Sequence, residues 1–107
     1  MFSFSKSSYE SKLMGLLQDK FFKTARRNKI LAQWAGGRLG HSGATLNGYV
    51  RSTILSYLVC PDDEKMVARL LKDFQRRGVH MTEDTIRQKM QAIETRIRNK
   101  SELRDVY

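Results

Sequence analysis

Few side chains in this sequence are placed to do chemistry. The acid pairs Asp62/Asp63 and Glu83/Asp84 could supply the two carboxylates of a general acid–base dyad. Each pair, however, opens a segment of helical apolar spacing, where a helix N-terminus favours negative charge, and no shielded nucleophile accompanies either. Capping explains them, and no catalytic residue is assigned. His41 and His80 fall in expected loops without a second ligand type at i,i+4, so they read as solvated loop histidines and no metal site is expected. The run "GGRLGHSG" at residues 36–43 lacks the Gly-Lys-Ser/Thr ending of a phosphate loop and follows a helix instead of a strand; it reads as a helix stop and a turn. Cys60, the lone cysteine, excludes an intramolecular disulfide and a thiolate metal site; it reads as a buried or incidental thiol. The chain is not expected to be an enzyme.

The elements that hold these residues are helices. Leu17, Phe21, Ala25, Asn28, Ala32, Ala35 and Leu39 recur at steps of three and four, flanked by Phe22, Leu31 and Trp34, which predicts one broad buried face on a first helix. Trp34 sits on the inward shoulder of that face, where an indole is usually core. Gly40 suits a left-handed cap after the last apolar residue. A second helix starts after Ser42 or Gly43 and carries Leu46, Tyr49, Val50, Thr53, Ile54, Tyr57 and Leu58 on its apolar side. "CPDDEK" then supplies a proline stop and an Asp62 cap for a third helix with Val67, Leu70, Leu71 and Phe74, closed by Arg76, Arg77 and Gly78. Thr82 caps a fourth, whose narrow stripe is Ile86, Met90, Ile93 and Ile97. No stretch alternates at period two for long enough to argue a strand. The expected fold is an all-α four-helix bundle with helices over roughly 7–39, 44–59, 62–77 and 83–100.

The net charge of +9 is uneven. Residues 1–29 carry seven bases and two acids, residues 30–60 two bases and no acid, and the rest is nearly balanced. Such a basic front could meet an acidic protein surface, phosphates or anionic lipid. Lys20, Lys23, Arg26, Arg27 and Lys29, with Phe2, Phe4 and Tyr9 as stacking surfaces, permit an alternative reading as a small nucleic-acid-binding helical protein. No RNP strand, KH loop or helix-turn-helix supports it, and a solvated basic face is the plainer account of those bases. No apolar run is long enough to span a membrane, and the beginning lacks a signal peptide's apolar core, so a cytoplasmic protein is expected.

Residues 25–40, "ARRNKILAQWAGGRLG", closely resemble the signature of the zeta-subunit ATPase inhibitors of alphaproteobacterial F-type ATP synthases, in which an A-R-R-N run leads through a leucine pair to W-A-A and a terminal L-G. The resemblance continues through Gly43, Tyr49, Pro61, the acidic start at residues 62–64, "KDF" at 72–74 and "TEDTIRQKM" at 82–90. It implies a regulatory protein that binds the catalytic head of the synthase, on the cytoplasmic side of the membrane, and blocks wasteful ATP hydrolysis when the proton motive force fails. The family's blocking element is the N-terminal segment, mobile when free and helical as it wedges between catalytic and non-catalytic subunits. On this chain that corresponds to residues 1–18, partly ordered, ahead of a bundle domain at 19–107. The partner-binding candidates are Phe2, Phe4, Lys6, Tyr9, Glu10, Lys12, Leu13 and Leu16, with Glu10 and Lys12 matching the family's Glu-x-Lys pair. The signature residues Arg26, Arg27, Asn28, Trp34, Gly40 and Tyr49 are expected to be mainly structural. No cofactor is required; weak adenine nucleotide binding, known in some members, is an expectation with no residue here assigned to it. The chain departs from the family in its Ser-rich beginning, with Glu10 as the single acid before Asp19, in Tyr57 where the family's second helix has aspartate, and in "WAGGRLG" for W-A-A.

Overall fold

The structure, a computed structural model, describes the backbone of residues 8–106 and the side chains of residues 10–100. Among the described residues it consists of α1 (Ser8–Arg38), α2 (Gly43–Val59), α3 (Asp63–Arg76) and α4 (Glu83–Val106), with no strand. The four-helix expectation holds. The fourth helix does not stop near residue 100 as expected but continues to Val106, because neither glycine nor proline follows Gly78 to break it.

Each break has a local cause. At the end of α1 the Gly40 N–H donates to the Gly37 carbonyl at 3.0 Å and the His41 N–H to the Gly36 carbonyl at 2.9 Å. This paired closure requires a left-handed residue, and Gly40 supplies it with φ +95°. Gly78, with φ +68°, closes α3 in the same way, its N–H on Gln75 at 3.1 Å and that of Val79 on Phe74 at 2.9 Å. Asp62 accepts from the N–H groups of Glu64 and Lys65 at 2.9 and 3.3 Å, and Thr82 Oγ1 accepts from the Thr85 N–H at 3.1 Å. Both caps stand where the sequence predicts them.

Two neighbouring glycines should answer oppositely to alanine. A Cβ on Gly37 meets nothing within 4 Å and adds helix propensity, whereas one on Gly40 is forced into positive φ. Gly37→Ala is expected to raise stability by about 0.5–1 kcal/mol and Gly40→Ala to lower it by about 1–2 kcal/mol. Opposite shifts of the urea midpoint at unchanged slope are the measurement. Gly36 serves packing instead: a Cβ there would lie 2.6 Å from Leu46 Cδ1 and 3.0 Å from Tyr49 Cδ2, so its absence lets α1 and α2 approach.

α1 packs against α2 and α4, and α3 against α4. The shared core is Leu31, Ala35 and Leu39 of α1, Met66, Val67, Leu70 and Phe74 of α3, and Ile86, Met90 and Ile93 of α4. α2 buries Val50 and Thr53. Trp34 lies half-buried on the shoulder of α1, edge-on to Phe74 at 6.0 Å, with the cations of Arg38 and Lys89 each 5.9 Å from its ring.

The expected single buried face along α1 is corrected. Leu17, Phe21 and Phe22 are exposed, and deep burial begins only at Arg27. The apolar stripe keeps its register, but Leu17 and Phe21 face Ile54 and Leu58 of α2 across an open groove instead of packing closely against them. Leu58 is likewise 57% exposed, and Cys60 is exposed, its Sγ accepting from Lys65 Nζ at 3.3 Å. His80 is solvated as expected, but His41 is not a free loop histidine: its ring stacks on Tyr49 at 5.2 Å.

Candidate functional site

The doubled base at residues 26 and 27 is divided by burial. Arg26 is exposed, whereas Arg27 is 5% exposed, which corrects the reading of this pair as a solvated basic face. Arg27 Nη1 and Nη2 donate to Asp63 Oδ2 and Oδ1 at 3.1 and 2.7 Å, while Nε and Nη2 donate to Asn28 Oδ1 at 3.0 and 2.8 Å. Glu94 Oε2 lies 3.6 Å from Nη1, and the Tyr57 ring sits 5.7 Å from the guanidinium. The Tyr57 hydroxyl donates to Asp63 Oδ1 at 2.9 Å. Arg27 therefore gathers one group from each of the other three helices. A forked, planar cation can do this and an ammonium cannot.

Electrostatics follow the geometry. Burial opposes the Arg27 charge, but the hydrogen bonds and charge of Asp63 outweigh it and raise the guanidinium pKa further. The hydrogen bonds from Arg27, helped by Tyr57 against partial burial, hold the Asp63 carboxyl below its ordinary 3.8. A depressed carboxylate contributes stability that is complete above the unfolded pKa and is lost as pH falls through the folded one. Stability should therefore fall as pH drops through about 4 and below, and Asp63→Asn should flatten that limb. Urea unfolding of both proteins across this window is the check.

Glu64 and Glu83 of the helix starts are also engaged. Arg87 donates to Glu64 Oε1 and Oε2 at 2.8 and 2.6 Å and to Glu83 Oε2 at 3.3 Å, joining the first turns of α3 and α4. Tyr49 donates to Asp73 Oδ2 at 2.8 Å, and burial together with that carboxylate keeps its phenol protonated far above the ordinary range. Arg69 donates to Ser52 Oγ at 2.9 Å and to Ser56 Oγ, tying α3 to α2. Among the described residues no group of three or more His, Cys, Asp or Glu could hold a metal ion. No described helix is long and apolar enough to cross a membrane.

The predicted partner-binding residues fall at the other end of α1. Phe2, Phe4 and Lys6 lie outside the described residues, and for Tyr9 only the backbone is described. Glu10, Lys12, Leu13 and Leu16 occupy the first turns of α1, all exposed. Leu13 and Leu17 lie on the same line along the helix as Thr24, Asn28, Leu31 and Ala35, so the row that builds the core at one end stands in water at the other. Leu16, Phe21 and Phe22 widen this exposed surface. Sequence reasoning assigned Leu17, Phe21 and Phe22 to the core; apolar spacing alone does not tell close packing from an open groove.

Exposed leucines thus stand on a helix rooted in a charge-locked bundle. No curated protein and no solved structure matches the chain. A protein-family model described as ATPase inhibitor subunit zeta matches residues 1–100, and the chain belongs to that family of inhibitor subunits.

Proposed function

We propose that the chain inhibits ATP hydrolysis by the catalytic head of an F-type ATP synthase, with residues 1–18 inserted between catalytic and non-catalytic subunits on the cytoplasmic side of the membrane. The observation that supports this most is the exposed apolar surface at the start of α1, Leu13 on the line of the core row with Leu16 beside it. An amphipathic helix whose apolar line has no partner in its own bundle is suited to a groove on another protein. Leu13 and Leu16 act as anchors, extended by Phe2, Phe4 and Tyr9, while Lys6, Glu10 and Lys12 meet charges at the groove edge. Because α1 is already helical from Ser8, less ordering entropy opposes insertion than for a fully unstructured segment.

The test is ATPase activity of the matching head complex with the full-length protein, with a chain lacking residues 1–18, and with Leu13→Ser/Leu16→Ser. Full-length protein should suppress hydrolysis, and the leucine double variant should need about tenfold more protein or worse for the same effect. Its melting temperature should not move, since both side chains are already in water. Equal hydrolysis with all three proteins and with none overturns the proposal.

A further inference from the structure

A second surface lies further along α1. Between Lys20 and Pro61 the chain carries seven Lys and Arg residues and no Asp or Glu. Within this acid-free stretch Phe21, Phe22, Leu55 and Leu58 are each more than half exposed. Leu17, Phe21 and Ala25 of α1 face Ile54 and Leu58 of α2, with Pro61 beyond, across a groove of about 360 Å³ into which Lys20 also reaches. Lys29, one turn beyond Ala25, and Arg51, one turn before Ile54, are exposed. Among the described residues Lys20, Lys29 and Arg51 have no carboxylate partner. α2 is apolar around more of its circumference than its own bundle covers: it buries Val50 and Thr53 on one side and leaves Leu55, Leu58 and Val59 in water.

We propose that this groove is a second docking site, for an acidic amphipathic helix of the ATPase head, adjoining the inserted segment at Leu17. The proposal rests on the head being the partner. Charge complementarity argues for the occupant: an apolar trough whose one charged lining residue is Lys20, on a stretch without acids from residue 20 to residue 60, favours apolar anchors flanked by carboxylates and disfavours basic partners. Three other occupants fit less well. A second copy would press like-charged rims together on a chain of net charge +9. Residues 1–7 contain Lys6 and no acid. A bilayer is flat on this scale, whereas the trough is concave and matches a helix presenting anchors at i, i+3 and i+4. Both contacts sit on one chain, so the second forms at high effective concentration and prolongs the complex without being needed for the block itself.

The test compares the full-length protein with Phe21→Ser/Leu58→Ser and with Lys29→Glu/Arg51→Glu, all exposed positions, with helicity checked by circular dichroism. Dissociation from the immobilised head complex is measured at low and high salt, ATPase at saturating protein. Binding to phosphatidylglycerol-containing vesicles and self-association are measured in parallel. Both variants should dissociate about tenfold faster or more, and both should still inhibit fully at saturation. The charge-reversal variant should also lose most of the salt dependence. Dissociation from the head at the wild-type rate overturns the site; if vesicle binding or self-association is then what the variants lose, the occupant is lipid or a second copy. Slower dissociation or stronger inhibition by the serine variant also overturns it, pointing to the chain's own first residues as occupant. A wild type that binds the head through this groove without inhibiting refutes the inserted segment alone, and a wild type that does not bind refutes both.

Discussion

Asp63→Ala should lower the stability of the bundle by about 2–4 kcal/mol, enough to move the melting temperature by roughly 10–20 °C. Asp63 itself is half in water, so the loss of its own contacts is a minor part of this. The cost comes from Arg27, which solvent hardly reaches and which would keep its charge with only Asn28 Oδ1 and a carboxylate at 3.6 Å to answer it. Tyr57 would lose its acceptor at the same time. Arg27→Met removes the stranded charge while keeping most of the volume, so Arg27→Met/Asp63→Ala should be less unstable than Asp63→Ala alone. Thermal unfolding of the four proteins as a double-mutant cycle measures this; a double variant that simply sums the two single losses would show that the pair is not coupled.

Phe74→Ala should cost about 3–5 kcal/mol, whereas the same substitution at Phe21 should stay within about 0.5 kcal/mol. Phe74 is fully buried among three helices and supports Trp34, so its removal leaves a cavity and strips one face of the indole. Phe21 is 56% exposed, on the wall of an open groove. Trp34 is the only tryptophan, so its emission reports directly: it should shift to longer wavelength in Phe74→Ala and stay in place in Phe21→Ala. Chemical denaturation followed at that wavelength gives both quantities.

What could be read from sequence was whatever is decided locally. Asp62, Thr82, Gly40 and Gly78 act within four or five residues of themselves, and all four work as their types predict. The apolar period of α1 was equally legible, but a period says which side of a helix is apolar and not how closely its neighbours pack against it. That is why Leu17, Phe21 and Phe22 were assigned to the core and are not in it. The Arg27–Asp63 contact was illegible for a similar reason. Thirty-six positions separate the two residues, Arg27 stands in a run of bases, and Asp63 already had a sufficient role at the start of a helix. The family signature located the chain among inhibitor subunits through residues that turn out to hold the bundle together, Arg27, Asn28, Trp34, Gly40 and Tyr49. The anchors proposed for the partner, Leu13 and Leu16, lie outside that signature.

α1 is one unbroken helix, exposed over its first turns and held by three other helices from Arg27 onward. It is built like a cantilever. A force applied sideways near its tip bends the free half little, since a continuous hydrogen-bonded ladder is stiff over a few turns, and is delivered as torque at the first clamped residue. Arg27 is that residue, and it transfers the load at once to Tyr57, Asp63 and Glu94 on three other helices. A side chain that reads as a structural ion pair at equilibrium is, under mechanical load, the fulcrum of the molecule.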